Sequence, residues 1–535
     1  MLLLLCRGCQ ETMAANDAAC TNNGARNWWH ANSYSINLRL DTIQWQMAVE
    51  AALEVGAVTT ANDSLQLDLA PQWQVTGITI DDAERNFSYD SLTKAYFLKG
   101  FRGAPPGSIF RIKISYHGWP QTTLKAPWGS GLVLKRSAMG LPWLGLACQA
   151  DGASIWLPCK NWQGDEPDSV SMAITVPAGL TAIANGRLLR QTSDSNGRFS
   201  TFYWHTASAI NLYDITFYIG DYLHWHDVYS GQSDTLSLDY YALRENESKA
   251  RKQFEEVKPM LRCFEGKVGR YPFYKDGYKL VEAPYLGMEH QSAIAYGNEY
   301  NMGYRGKDRS KTGIGLKFDF IIIHESAHEW YGNSITAYDK ADTWIHEGFT
   351  SYLETIYAEC LLGKVAAYQY QWGKRDLIEN DKPVRGSYNA CDEGSGDHYD
   401  KGAFMVHMIR EMMHDDKKFY AMLQEMNRVF FHKIVRGADM EHFMEQYSGL
   451  ELSSFFKQYL DGKTWPTLEV NTHEGKAIAY RWVDCVPGFN MPAVVLINGK
   501  ETRLPATTQW QSQHLGQNKW KIYPSPDFLF NLKQD

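Results

Sequence analysis

The sequence predicts a multi-domain α+β chain, with a β-rich N-terminal part, a mostly helical middle and a small C-terminal β domain. Three observations predict it. Short runs of alternating polar and apolar residues fill the stretch from Asn27 to Tyr229. Apolar residues then recur at helical spacing from Ser248 onward. Alternation returns after Trp465-Pro466. The 535 residues suffice for several domains of about 100–200 residues each. With 44% apolar and 21% charged residues, a largely disordered or collagen-like chain is excluded.

The first β elements are Ser35-Ile36-Asn37-Leu38-Arg39-Leu40, Phe110-Arg111-Ile112-Lys113-Ile114 and Ser171-Met172-Ala173-Ile174-Thr175-Val176, each patterned as a half-buried strand. Asp194-Ser195-Asn196-Gly197 ahead of Phe199–Trp204 reads as part of a hairpin. His224-Trp225-His226 also alternates; two histidines two apart on a strand can bind metal, but no partner ligand lies nearby in sequence, so they read as ordinary strand residues. Helices are expected over 248–266, where Phe254, Val257, Met260 and Leu261 repeat, and around 315–333, 346–362, 400–415, 417–430 and 440–460. Strands resume at Thr467–Val470, Ala477–Trp482 and Ala493–Ile497, and Asn498-Gly499 is a hairpin turn. The expected division is a leader-like or disordered tail at 1–24, an N-terminal β domain at 25–232, a helix-dominated domain at 233–465 and a C-terminal β domain at 466–535.

Charge and composition remove several function classes. Acidic residues outnumber basic ones, 61 to 53, and the net charge of −8 gives no electrostatic footprint for nucleic acid. No run of about 18 apolar residues exists, so no transmembrane helix is expected. The N-terminus, Met1-Leu2-Leu3-Leu4-Leu5-Cys6-Arg7-Gly8-Cys9, is apolar but lacks a basic start. Read as a clipped secretion signal, it implies export to a periplasmic or lipid-anchored location, with Cys9 carrying the lipid. Read as a plain tail, it implies the cytoplasm. Nine cysteines are odd in number and sparse for this length, and they are not expected to make a disulfide framework.

The chemistry lies in His324-Glu325-Ser326-Ala327-His328. On a helix, residues four apart share a face, with Cβ atoms about 5–6 Å apart. His324 and His328 can therefore direct both imidazoles at one metal ion, and Glu325 is placed to act on a water rather than on the metal. Such a motif is expected by chance about 0.03 times in a chain of this composition, so it is informative without being decisive. A second carboxylate strengthens it. Glu347 follows His328 after 18 intervening residues, room for the first helix to end near Gly332 and Asn333 and for a second to return. His324, His328 and Glu347 then make three ligands with the fourth position open, as in catalytic zinc sites. His346 points elsewhere around its helix and is not expected to be a ligand.

HESAHEW, eighteen residues, and then HEGFTSYLE resemble the M1 family of zinc aminopeptidases, the gluzincins related to membrane alanyl aminopeptidase and leukotriene A4 hydrolase. Three further segments follow the family's order. Pro284-Tyr285-Leu286-Gly287-Met288-Glu289-His290 resembles its exopeptidase motif, His398-Tyr399-Asp400-Lys401-Gly402-Ala403 its tyrosine segment, and Cys148-Gln149-Ala150 the stretch that contributes a glutamine. The resemblance implies a sandwich-like first domain, a thermolysin-like catalytic domain, one Zn2+ per chain and peptide substrates with a free N-terminus. It implies Glu325 as general base, Tyr399 as donor to the oxyanion, and Glu289 as anchor of the α-ammonium, assisted by Gln149, with Gly287 and Met288 beside the substrate. Glu354, seven residues after Glu347 and on the same face, matches the carboxylate that orients a histidine ligand. Leu286 and His290 depart from the family, which usually has Gly and Asn there, and no counterpart of the large helical C-terminal domain that many members carry is expected. A thermolysin-like endopeptidase and a non-catalytic binding scaffold are the alternative readings.

Overall fold

The structure is a computed structural model that describes residues 21–22, 24–232, 234–472, 477–515 and 520–534. The leader-like segment, with Cys6 and Cys9, lies outside the described residues. The chain folds as two compact units. One comprises the chain up to 255 with 273–300 and 389–391; the other comprises 256–272, 301–388 and 392 onward.

In the first unit the long strand Trp29–Asp41 buries Ile36, Leu38 and Leu40 and exposes Asn37 and Arg39, as its alternation requires. It pairs antiparallel with Gln46–Ala57 and parallel with Ser169–Pro177. An eight-stranded sheet grows from these three, and it includes the hairpin Arg187–Ser193 and Phe199–Thr206 closed at Asp194–Gly197. A four-stranded sheet, Thr181–Ala184, Phe217–Gly220, Pro142–Ala147 and Gly131–Arg136, shares its apolar core, where Leu38, Ile114 and Met172 join Ala182, Phe217 and Leu144 in one cluster. A five-stranded mixed sheet completes the unit in the order Tyr222–Ser230, Thr235–Leu243, Tyr278–Glu282, Ile294–Tyr296, Gly287–Met288. Tyr278–Glu282 has parallel neighbours on both sides and is buried throughout, as such strands are. The boundary expected at 232/233 falls between two strands paired over their whole length, Tyr222–Ser230 and Thr235–Leu243.

The second unit is built on the helices Val257–Lys267, Phe320–Ala327, Trp344–Leu362, Lys364–Gly373, Asp400–Met413, Asp416–Val429, Gly437–Ser448 and Ser453–Tyr459. The helix expected over 315–333 is much shorter, because tight turns flank Phe320–Ala327. The stretch expected over 440–460 is two helices, divided where Gly449 adopts φ 74°. The strands after Trp465 form two small sheets in this same unit. Trp372 and His407 of the helices meet Asp527 of this region at 2.6 and 2.9 Å.

The cysteine reading needs correction. Cys263 of the Val257–Lys267 helix is disulfide-bonded to Cys360 near the end of the Trp344–Leu362 helix, 97 residues away in sequence. Cys391 is disulfide-bonded as well. A count of cysteines carries no information on which distant helices pack together, and only the packing brings this pair into range. Among the described residues no helix is long and apolar enough to cross a membrane.

Candidate functional site

The Phe320–Ala327 helix begins at Asp319, whose carboxylate caps it by accepting the amides of Ile321 and Ile322 at 3.0 and 3.4 Å. Every residue of the helix is buried, so its position is fixed on all sides. His328 follows the last full turn with φ −61° and ψ −21°, still helical, which preserves the four-residue relation to His324. The two imidazole rings lie 5.0 Å apart and nearly perpendicular, at 81°.

Glu347 comes from the first turn of the Trp344–Leu362 helix. Its Oε2 stands 3.5 Å from His324 Nε2 and 3.3 Å from His328 Nε2. That oxygen is buried and has no hydrogen-bond partner. A buried, unsatisfied carboxylate oxygen facing two imidazole nitrogens is what a cation site requires. Two imidazoles and a carboxylate suit zinc, and three donors rather than four mark an open site. The donor set therefore fits the expected ion. Burial disfavours the charged form of His324, but the Glu347 and Glu354 carboxylates outweigh it and raise the imidazole to about 10. Burial likewise opposes the Glu347 carboxylate, yet His328 and His324 hold it well below the usual range. A cation bound between these groups would compete with protons for them.

Each histidine is oriented from behind. Glu354 Oε1 takes His324 Nδ1–H at 2.8 Å, which leaves Nε2 toward Glu347. Glu354 Oε2 accepts from the Tyr370 hydroxyl at 2.7 Å and from Lys374 Nζ at 3.3 Å. Against the cost of burial, Lys374 and His324 keep this carboxyl at about 2. His328 Nδ1 donates to the Tyr331 carbonyl at 3.0 Å, with the same consequence for its Nε2. His346 Nε2 instead accepts the Ala337 amide at 2.8 Å, and burial pushes its pKa down to about 3, so it is a neutral support for that strand. Glu354→Gln, which keeps the volume beside Lys374, is expected to weaken zinc binding by about 10–100-fold. Competition with a chelator measures this, and unchanged affinity would remove Glu354 from the site.

Glu325 lies beside His324 on the helix, with a carboxylate oxygen within 4.8 Å of a His328 ring nitrogen. Tyr399 stands at the start of the Asp400–Met413 helix, its ring 5.9 Å from that of His324 and 4.6 Å from that of His398. Two glycines, Gly348 and Gly402, given no role by the sequence reading, make this approach possible. A Cβ on Gly348 would lie 3.0 Å from Gly402 Cα, and one on Gly402 would lie 2.9 Å from Gly348 Cα. The helix carrying Glu347 and the one led by Tyr399 thus touch backbone to backbone. The signal was a glycine inside each of two helices, where glycine is locally unfavourable by about 1 kcal/mol.

The other candidates gather in the first unit. Glu289 is buried, and its Oε1 accepts from Gln149 Nε2 at 3.0 Å and from the Tyr213 hydroxyl at 3.3 Å. Tyr213 was not anticipated; it lies 76 residues from Glu289, beyond the reach of any spacing argument. Gly287–Met288 is the terminal strand of the five-stranded sheet, paired with Ile294–Tyr296. The Leu286 carbonyl accepts the Gly297 amide at 2.7 Å. His290 is fully buried, and burial lowers its pKa to about 3, so it is neutral; its Nδ1 lies 2.7 Å from the Tyr218 hydroxyl.

A sequence profile of the peptidase family M1 domain matches residues 253–459. The chain is 22% identical to mouse endoplasmic reticulum aminopeptidase 1 over 339 residues, which cover 58% of this chain and 34% of that protein. It is 25% identical to pig glutamyl aminopeptidase over 201 residues, covering 34% and 20% of the two chains, and 31% identical to chicken aminopeptidase Ey over 130 residues, covering 23% and 12%. The chain therefore aligns with about a third or less of the length of these relatives. The crystal structure of the M1 zinc metallopeptidase from Deinococcus radiodurans has the same fold, with a TM-score of 0.67 at 21% identity, covering 84% of this chain and 97% of that one.

Proposed function

We propose, from the peptidase family M1 profile that matches residues 253–459, that the chain is a zinc aminopeptidase that removes N-terminal residues from peptides. The observation that carries the reading is the unsatisfied Glu347 Oε2, buried and facing the Nε2 atoms of His324 and His328. Zinc, when bound there, supplies Lewis acidity that polarises a peptide carbonyl and acidifies water.

The remaining steps fall to the protein's own groups. Glu354 and the Tyr331 carbonyl hold the two imidazoles in the tautomer that presents Nε2. Glu325 accepts the proton of the attacking water and later delivers it to the leaving amine, so the nitrogen departs neutral. The Tyr399 hydroxyl donates to the oxygen that gains charge as the carbonyl becomes tetrahedral. Glu289, its Oε1 fixed by Gln149 and Tyr213, takes the substrate's α-ammonium as a charge-assisted hydrogen bond. Met288 and Gly287 belong to the short terminal strand immediately before it. The Cys263–Cys360 disulfide supports an exported, oxidising location.

One peptide, assayed with its N-terminus free and acetylated, tests this reading. The free form should be cleaved at least about 10²-fold faster, because only it offers the charge that Glu289 binds. Glu289→Ala should lose most of that preference while keeping its zinc. Equal rates on the two peptides would identify an endopeptidase instead.

A further inference from the structure

Glu289 runs directly into a tight turn, His290-Gln291-Ser292-Ala293, in which the Ala293 amide donates to the His290 carbonyl at 2.9 Å and Ser292 adopts φ 54°. All four residues are fully buried, and each is held from outside the turn. The Asn185 side-chain amide donates to the Gln291 carbonyl at 2.7 Å, and Gln291 Nε2 donates to the Ala209 carbonyl at 3.0 Å. The Ser292 hydroxyl oxygen accepts the Gly186 amide at 2.8 Å. The two ends of the turn share one partner. The Tyr218 hydroxyl, from the strand Phe217–Gly220, lies 2.8 Å from the Ala293 carbonyl and 2.7 Å from His290 Nδ1.

That sharing fixes the tautomer of the imidazole. A hydroxyl has one proton, and a carbonyl oxygen can only accept one. Tyr218 therefore donates to Ala293, and His290 Nδ1–H donates to the Tyr218 oxygen. Nε2 is left bare, buried and without a hydrogen-bond partner among the described residues. An unpaired buried polar atom is costly, and an apolar side chain would fill the same space without that cost, so the imidazole serves through its other nitrogen. The stretch of chain that carries Tyr218 also reaches the carboxylate of Glu289. The Tyr213 hydroxyl donates to Glu289 Oε1 at 3.3 Å. Asn185 ties the stretch together, donating to the Asp214 carbonyl at 3.0 Å and accepting the Thr216 amide at 2.9 Å. Tyr213 thus aligns the carboxylate, and Tyr218 aligns the backbone from which it projects.

We propose that His290 is a positioning residue for recognition of the substrate's N-terminus: by donating through Nδ1 to Tyr218 it fixes the backbone at Glu289, and with it the point from which the Glu289 carboxylate meets the amine. The inference rests on the reading of Glu289 as the amine anchor. A charge-assisted hydrogen bond is directional, so a carboxylate on a loosened backbone binds the ammonium less well than one held still. Glu289 keeps Gln149 and Tyr213 when His290 is changed, so recognition is weakened and not abolished.

The test measures kcat/KM on one peptide, with its N-terminus free and acetylated, for zinc-loaded wild type, His290→Asn, His290→Leu and Tyr218→Phe. Asparagine carries a donor nitrogen as many bonds from the backbone as Nδ1, whereas leucine fills the space and offers none. His290→Leu and Tyr218→Phe should each lower the free-over-acetylated ratio by about tenfold or more, and His290→Asn should hold it within about threefold of wild type. The loss should fall on the free peptide, as a higher KM. Damage to the fold at large would slow both peptides alike and leave the ratio unmoved. Tyr218→Phe removes a single oxygen and keeps the ring, so it carries the test if the leucine variant does not fold. A ratio unmoved in the leucine and phenylalanine variants, or one that falls as far with asparagine as with leucine, overturns the proposal and leaves Glu289 as the anchor. No preference in the unsubstituted protein overturns the anchor itself, and the proposal with it, before any variant is compared.

Discussion

Glu325→Gln lowers kcat by about 10³-fold or more and leaves the zinc in place. The amide keeps the shape and burial of the carboxylate but cannot take a proton from water. The donor set that fits the metal is His324, His328 and Glu347, so the ion content should not change. In the proposed reading Glu289 and its partners hold the substrate amine, so KM should change little. Metal analysis beside steady-state kinetics separates the two effects. A variant with full zinc and a kcat within tenfold of wild type would show that another group carries the proton.

Gly402→Ala should reduce kcat by about 10–100-fold while zinc remains bound. The new methyl would lie 2.9 Å from Gly348 Cα, a backbone atom that cannot swing aside as a side chain can. Alanine gains about 1 kcal/mol of helix propensity over glycine, while overpacking costs about 1–3 kcal/mol, so the net effect on stability is small or modestly unfavourable. The main consequence is geometric. The Asp400–Met413 helix must move away from the Glu347 helix, and Tyr399 at its start moves with it. A misplacement of about 1 Å at a reacting centre can cost on the order of 10²-fold. Thermal melting together with kcat tests this; a kcat equal to wild type would mean the two backbones can part without disturbing Tyr399.

These two variants sit on opposite sides of what the sequence discloses. Glu325 is legible because its relation to His324 and His328 is local, and helix geometry converts sequence spacing directly into direction. Glu354 is legible in part: its offset from Glu347 along one helix is readable, whereas its contact with His324, 30 residues earlier, depends on how the two helices pack. Gly348 and Gly402 stand in plain view, yet their role exists only where two helices meet. Tyr213 left no trace in the spacing, because a loop packed far along the chain brings its hydroxyl to Glu289.

Periodicity and local geometry sufficed for the order of strands and helices, the His324–His328 motif and the Glu325 carboxylate beside it, since each depends on residues within a few turns of one another. Tertiary packing alone decided which cysteines join, which glycines let helices touch and what grips Glu289. Those pairings cross long separations in the chain, where the path between two residues is set by the burial of hundreds of others and not by their own spacing.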